Sequence, residues 1–210
     1  NSEQFVMEAM KLGASNYLKK PVSRDHIVSL LRKYKNIFSL KHLEKKLTFS
    51  QVSHEFKLSL KTNVEIIPSI VNYLVNETDG ILVPEKQLDV KLGLSELLLN
   101  AVEHGNMGIS YLEKSIAVKN DTLQSLYFDR CQSKECSEKE VTVEYKAQSG
   151  ICEWVITDEG KGFDPNSIPD PINEDGILRL HGRGIFICKF QFDEMEYIGS
   201  GNQVRVVKRI

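Results

Sequence analysis

The chain has 210 residues, 41% hydrophobic and 27% charged, with a formal net charge of −2. This is an ordinary globular composition, with length enough for one well-buried domain and an attached piece. The balanced charge leaves no clustered basic excess of the kind nucleic acid requires. No apolar run approaches the roughly 20 residues that span a bilayer, and Asn1-Ser2-Glu3-Gln4 does not open a signal peptide. A cytoplasmic protein is expected, with neither nucleic acid nor membrane as a partner. A start on Asn reads as a fragment of something longer.

In chain order, Phe5, Val6, Ala9, Met10 and Leu12 have helical spacing, with Gly13 as the stop. Asn16-Tyr17-Leu18 is a short extended piece that halts at Lys20-Pro21. Ser23 is a good N-cap, and the apolar stripe from Ile27 to Leu47 predicts one long amphipathic helix. The basic residues between Arg32 and Lys46 fall on its solvated face. Such a helix could pair with its own copy or pack on its own domain.

Phe56, Leu58 and Leu60 alternate within Glu55–Lys61, which predicts a half-buried strand. Helices are predicted over Ile66–Val75 and Leu88–Glu103, the second stopped by Gly105. Residues 106–138 show no clean periodicity beyond a partial helix over Thr122–Arg130. Strands follow at Val141–Ala147 and Ile151–Thr157 around the turn Ser149-Gly150. Residues 164–176 read as a loop and Gly184–Phe192 as a helix. Strands at Glu194–Ile198 and Gln203–Lys208 close the chain. The sum is an α+β fold in two layers, a mixed sheet covered on one face by helices.

The four cysteines carry no metal signature. Cys131 and Cys136 lie in a polar stretch without a second pair, and Cys152 and Cys188 look like small core residues.

Three segments carry chemistry. Glu96 and Asn100 are four apart on one helix and share a face, which is either a solvated stripe or a site. Asp158-Glu-Gly160-Lys-Gly162-Phe163-Asp164 follows a strand, and its glycines let the backbone approach a ligand. His181-Gly182-Arg183-Gly184 opens onto a helix N-terminus, a ready phosphate cradle. It lacks the Lys-Ser/Thr ending of a Walker loop.

In this order and spacing the three segments resemble the N-box and two glycine boxes of the Bergerat (GHKL) ATPase and kinase superfamily. That superfamily has a two-layer sandwich fold, and the resemblance covers about residues 50–210. It implies that Asp158 bonds the adenine amino group and that Gly160 and Gly162 admit the nucleotide. Asn100 would coordinate a magnesium ion bridging the phosphates, and Gly182, Arg183 and Gly184 would wrap those phosphates. Glu96 would be the catalytic general base, and the cofactors would be ATP and Mg2+. The superfamily often has a Thr in the last strands near the adenine, where this chain has Gly201-Asn202-Gln203-Val204.

Within the superfamily, Glu96 to Gly108, Phe163-Asp164-Pro165 and Asn202-Gln203-Val204 resemble the anti-sigma-factor serine kinase branch. Glu8 to Val22 resembles the end of a response-regulator receiver domain, whose phosphoacceptor aspartate would lie upstream. The expected organisation is a receiver remnant at 1–22, a connector helix at 23–49 and a histidine kinase-like ATP-binding domain at 50–210. The resemblance implies an output domain that phosphorylates serine or threonine on a protein. Its partner would be an anti-sigma-factor antagonist or a sigma-factor-like protein, with a homodimer forming through the connector helix. Two alternatives stand beside it. One is an ATP-responsive binding module without phosphoryl transfer. The other is a histidine-kinase fragment, suggested by Ser53-His54-Glu55-Phe56. A phosphoacceptor histidine needs a long helix, and His54 leads into an alternating strand.

Overall fold

The computed structural model describes residues 53–165 and 184–210, together with Val22, Arg24, Ile27, Val28 and Leu31. The chain divides into two units, Asn1–Thr48 and Phe49–Ile210. In the first, Arg24, Ile27, Val28 and Leu31 are helical, at the start of the expected connector. The receiver-like stretch and the rest of the connector lie outside the described residues.

The second unit opens with β1 (Ser53–Lys61), whose burial alternates residue by residue as its sequence does. A 3-10 turn, Val64–Ile66, leads into α1 (Ile67–Asn76), with Pro68 in the first turn where no N–H is missed. Helix α2 (Pro84–Asn100) begins four residues before the expected start because Pro84 takes the first helical position. It does not stop at its end: a π-helical turn, Ala101–Asn106, carries it through Gly105. Three helices then occupy the stretch that showed no clean periodicity: α3 (Tyr111–Lys119), α4 (Leu123–Gln132) and α5 (Lys134–Ser137). After them come β2 (Glu140–Gln148), β3 (Ile151–Thr157), α6 (Gly184–Gln191), β4 (Glu194–Ile198) and β5 (Gln203–Arg209).

The strands form one sheet in the order β1-β2-β3-β5-β4. The two-layer α+β architecture is the expected one, with one correction of detail. In place of a mixed sheet, all four strand pairings are antiparallel. The reason lies in the connections. β2 and β3 join through Ser149-Gly150, where both residues have positive φ, and β4 and β5 join through a hairpin at Gly199–Asn202. β3 and β4 do run parallel across α6, but β5 inserts between them and pairs antiparallel with each.

One face of the sheet meets the helices. Val143, Tyr145, Trp154, Ile156 and Val206 from the strands pack with Val71 and Leu74 of α1 and Val90, Leu94, Leu97 and Leu98 of α2, all at most 2% exposed. Cys152 and Cys188 are fully buried here, as expected of small core residues. Gly93 lets α2 approach Phe192, whose ring fills the space a side chain would take. Lys208 is buried by its stem, while Nζ donates to Asp89 Oδ2 at 2.9 Å and to the Gln191 carbonyl at 2.7 Å, tying β5 to α2 and α6. The other face of the sheet is polar. Lys57 pairs there with Glu144, and Arg205 with Glu153 and Glu194.

Candidate nucleotide-binding site

The site forms where the C-terminal end of α2, the turn after β3 and the start of α6 converge. At α2, Leu94, Leu97 and Leu98 turn into the core, which rotates Glu96 and Asn100 onto a neighbouring stripe. Both are half-buried, so they do not form the helix's solvated face. Leu88 and Leu92, two turns and one turn before Glu96, are 57% and 51% exposed, so the helix buries more deeply toward its C-terminal end.

Asn100 ends α2, and its Nδ2 is buried with no hydrogen-bond partner among the described residues. A buried amide N–H without an acceptor is costly, and an acceptor brought by a ligand would relieve that cost. Glu96 faces the start of α6, and a methyl group on Gly184 would overlap its carboxylate. Only a glycine admits that approach, and the positive end of the α6 dipole favours negative charge there.

At the far end, Asp158 closes β3. Its Oδ1 accepts from Gly160 N at 2.8 Å. Asn202 brackets it twice, with Asp158 N–H donating to the Asn202 carbonyl at 3.0 Å and Asn202 Nδ2 donating to the Asp158 carbonyl at 2.9 Å. Burial pushes the Asp158 carboxyl up to about 6, against the lowering pull of the Gly160 N–H and Lys139. A side chain on Gly105 would strike the Asp158 carboxylate, and one on Gly160 would strike the Gly105 carbonyl. The π turn is thereby packed against the aspartate. Gly162 has φ +70°, and the Ser200 carbonyl occupies the place a Cβ would take. Phe163 meets Tyr197 edge to face at 5.0 Å, an aromatic flank beside the aspartate.

The structure therefore brings together Glu96, Asn100, Asp158, Gly160, Gly162 and Gly184. Gly182 and Arg183 lie outside the described residues. In the last strands, where the superfamily often has a Thr, this chain has Gln203, whose Nε2 donates to Thr157 Oγ1 at 2.8 Å.

Three residues escaped the sequence reading. Gly105 read only as a helix stop, yet it forms the contact with Asp158. Asn106, 1% exposed, accepts from Glu159 N–H at 2.8 Å and donates to Thr62 Oγ1 at 2.9 Å, tying the π turn to the Asp158 loop. Glu103 is also 1% exposed. It accepts from Lys114 Nζ of α3 at 2.5 Å and from the Tyr127 hydroxyl of α4. The inserted helices thus satisfy a carboxylate buried directly behind the site. Acidic and amide residues in an apolar helix end were the available signal, but their partners lay in a segment without periodicity.

His54 lies on β1, its Nε2 2.9 Å from Glu77 and its ring among Phe56 and Tyr145. A strand residue packed this way lacks the helical setting of a phosphoacceptor box. Cys131 and Cys136 are free thiols that donate to the carbonyls of Thr62 and Asn106. Among the described residues no group of three or more His, Cys, Asp or Glu side chains could hold a metal by itself, and no helix is long and apolar enough to cross a membrane.

No curated protein matches the chain. A family model, the histidine kinase-like ATPase domain, matches residues 61–208, which span β1's last residue to β5 and so take in every site residue named above. The chain belongs to the histidine kinase-like ATPase family, and this region is its ATP-binding domain.

Proposed function

We propose that this domain is the output unit of a receiver-coupled regulator and a protein serine/threonine kinase of the anti-sigma-factor type, using Mg-ATP. The observation that carries the reading is the placement of Glu96. It is a half-buried carboxylate one helical turn from Asn100 and set against Gly184 at the start of α6. Binding alone needs no carboxylate where anionic phosphates would come to lie; phosphoryl transfer to a hydroxyl does.

In this reading Asp158 accepts from the adenine amine. Asn100 would hold a magnesium ion through its amide oxygen, and its buried Nδ2, without a partner among the described residues, would donate to a phosphate oxygen. The ion would neutralise charge on the phosphates. Glu96 takes the proton from the attacking seryl or threonyl hydroxyl as the new O–P bond forms. The bond from the γ-phosphorus to the β,γ-bridging oxygen breaks, and ADP leaves. The partner is an anti-sigma-factor antagonist or a sigma-factor-like protein, and the connector helix pairs two copies.

Calorimetric titration with Mg-ATP on the wild type and Asp158→Asn tests the pocket, and binding is expected to vanish in the variant. Glu96→Ala should keep ATP affinity within about threefold while lowering transfer of labelled phosphate to the partner by at least about a hundredfold. Transfer that survives in Glu96→Ala would sink the kinase assignment. An intact regulatory output from that variant would favour an ATP-responsive binding module.

A further inference from the structure

The peptide unit that follows Asp158 is held at both of its polar groups by asparagine side chains from other elements. Its carbonyl, that of Asp158, accepts from Asn202 Nδ2 at 2.9 Å. Its N–H, that of Glu159, donates to Asn106 Oδ1 at 2.8 Å. One residue further on, the Gly160 N–H donates to the Asp158 carboxylate itself at 2.8 Å. The carboxylate and the peptide plane beside it are thereby fixed together. Asn202 belongs to the β4–β5 hairpin, whereas Asn106 is the last residue of the π turn that continues α2.

The Asn106 amide is itself set in one orientation. Thr62, buried just after β1, donates its hydroxyl proton to the Lys139 carbonyl at 2.7 Å, so toward Asn106 it can only accept. Asn106 Nδ2 donates to that oxygen at 2.9 Å. This leaves Oδ1 for the Glu159 N–H, a group that can only donate. The Asn106 carbonyl in turn accepts from Lys139 Nζ at 3.1 Å and from the Cys136 thiol. Asn106 is 1% exposed, so water does not compete for its amide. Alanine at this position would release the Glu159 N–H, and with it one of the two grips on the peptide beside Asp158.

A buried asparagine that only satisfied its neighbours would serve the fold alone. This one ends on the backbone of the turn that carries Asp158, and it shares the π turn with Gly105, which packs against the Asp158 carboxylate. We propose that Asn106 is a positioning residue for base recognition: by holding the Glu159 N–H it sets the direction of the Asp158 carboxylate, and with it the site's preference for a base bearing an amine over one bearing an oxygen at the same place. The inference rests on the ATP reading above, in which Asp158 accepts from the adenine amine. Asn100 ends α2 and Asn106 ends the turn that continues it. One helical run therefore carries both the amide assigned to the magnesium ion and the residue that aims the base reader.

The deciding experiment is calorimetric titration of the full chain with Mg-ATP and with the magnesium complex of inosine triphosphate, whose base carries an oxygen where adenine carries its amine. Wild type, Asn106→Ala and Thr62→Val are compared, each shown to be folded by thermal melting. An acceptor aimed at an amine meets another acceptor in the inosine nucleotide, so the wild type is expected to prefer ATP by at least about tenfold. Asn106→Ala should cut that preference to within about threefold of parity. Thr62→Val removes another bond of the same network but leaves the Glu159 N–H its acceptor, and should keep the preference within about threefold of the wild-type value. An Asn106→Ala protein that melts lower yet keeps the full preference would show a purely structural residue and overturn the proposal, leaving the ATP reading intact. An equal loss of preference in Thr62→Val would overturn it too, because general loosening would then suffice. A folded wild type that binds both nucleotides alike, or neither, would overturn the reading of Asp158 and this inference with it. If Asn106→Ala does not fold, hydrogen exchange at the Glu159 amide of the wild type decides. Slow exchange is expected, and exchange as fast as in an unfolded chain would overturn the proposal.

Discussion

At Asp158 burial and hydrogen bonding act in opposite directions, and burial prevails, leaving a carboxyl that titrates at about 6. In the proposed reading Asp158 accepts from the adenine amine, and the ionised carboxylate is the stronger acceptor. Near neutral pH the group is mostly ionised, and at pH 5 it is mostly protonated. Affinity should therefore fall about tenfold between pH 7 and pH 5 if only the ionised form binds. Adenosine is the better ligand for this titration, since it has no phosphate that ionises in the same window. A flat profile from pH 7 to pH 5 would mean that Asp158 is not the base-recognising acceptor. The glycines around it set a second condition at this scale. Gly105 and Gly160 are close-packed with the carboxylate and with each other, so a methyl group at either would displace the aspartate.

Among the elements, the π turn Ala101–Asn106 and the inserted helices act together. The turn widens the end of α2, directs Glu103 inward and Gly105 toward Asp158, and relies on α3 and α4 for the donors that make a buried carboxylate tolerable. Tyr127→Phe removes one of those two donors and little else. It is expected to destabilise the domain by about 1.5–3 kcal/mol, the cost of a lost hydrogen bond to a buried charge. Denaturant unfolding of both proteins measures this, and a change below about 0.5 kcal/mol would show that Glu103 does not depend on Tyr127.

The same region marks where sequence reading gives out. The strands were legible because one side of each faces a core: Phe56, Leu58 and Leu60, then Val141, Val143 and Tyr145, alternate as the burial does. Helix α3 was not legible, because Leu112, Ile116 and Val118 stay 47–71% exposed and leave no apolar stripe to read. Glu96, Asn100 and Asp158 could be found because a glycine-rich or polar break in an apolar element is unusual. Asn106 could not, because its role comes from contacts across the chain with Glu159 and Thr62.

Taken as a whole, the second unit holds its core between helices and sheet and places the site at one end of that core, so occupation of the site and stability of the fold are linked. Asp158 has a folded pKa raised from 3.8 to about 6. The folded protein therefore holds the proton more tightly than the unfolded chain, and this favours folding fully below pH 3.8. The benefit is lost as pH rises to about 6. Near pH 7 the ionised carboxylate thus costs the fold stability. Asp158→Asn should raise the stability of the nucleotide-free domain by about 1 kcal/mol once solvent screening at this half-buried position is allowed for. That corresponds to about 2–4 °C in melting temperature for a domain of this size. Mg-ATP at a hundred times its dissociation constant should add about 2.7 kcal/mol to the wild type and nothing to the variant. The order of melting temperatures is then expected to invert: the variant melts higher without nucleotide, and the wild type melts higher with it. Calorimetric scans of the two proteins with and without Mg-ATP check this. A variant that melts lower in both conditions would mean that the hydrogen bonds Asp158 accepts outweigh the cost of burying its charge, and that the site is not held at the expense of the fold.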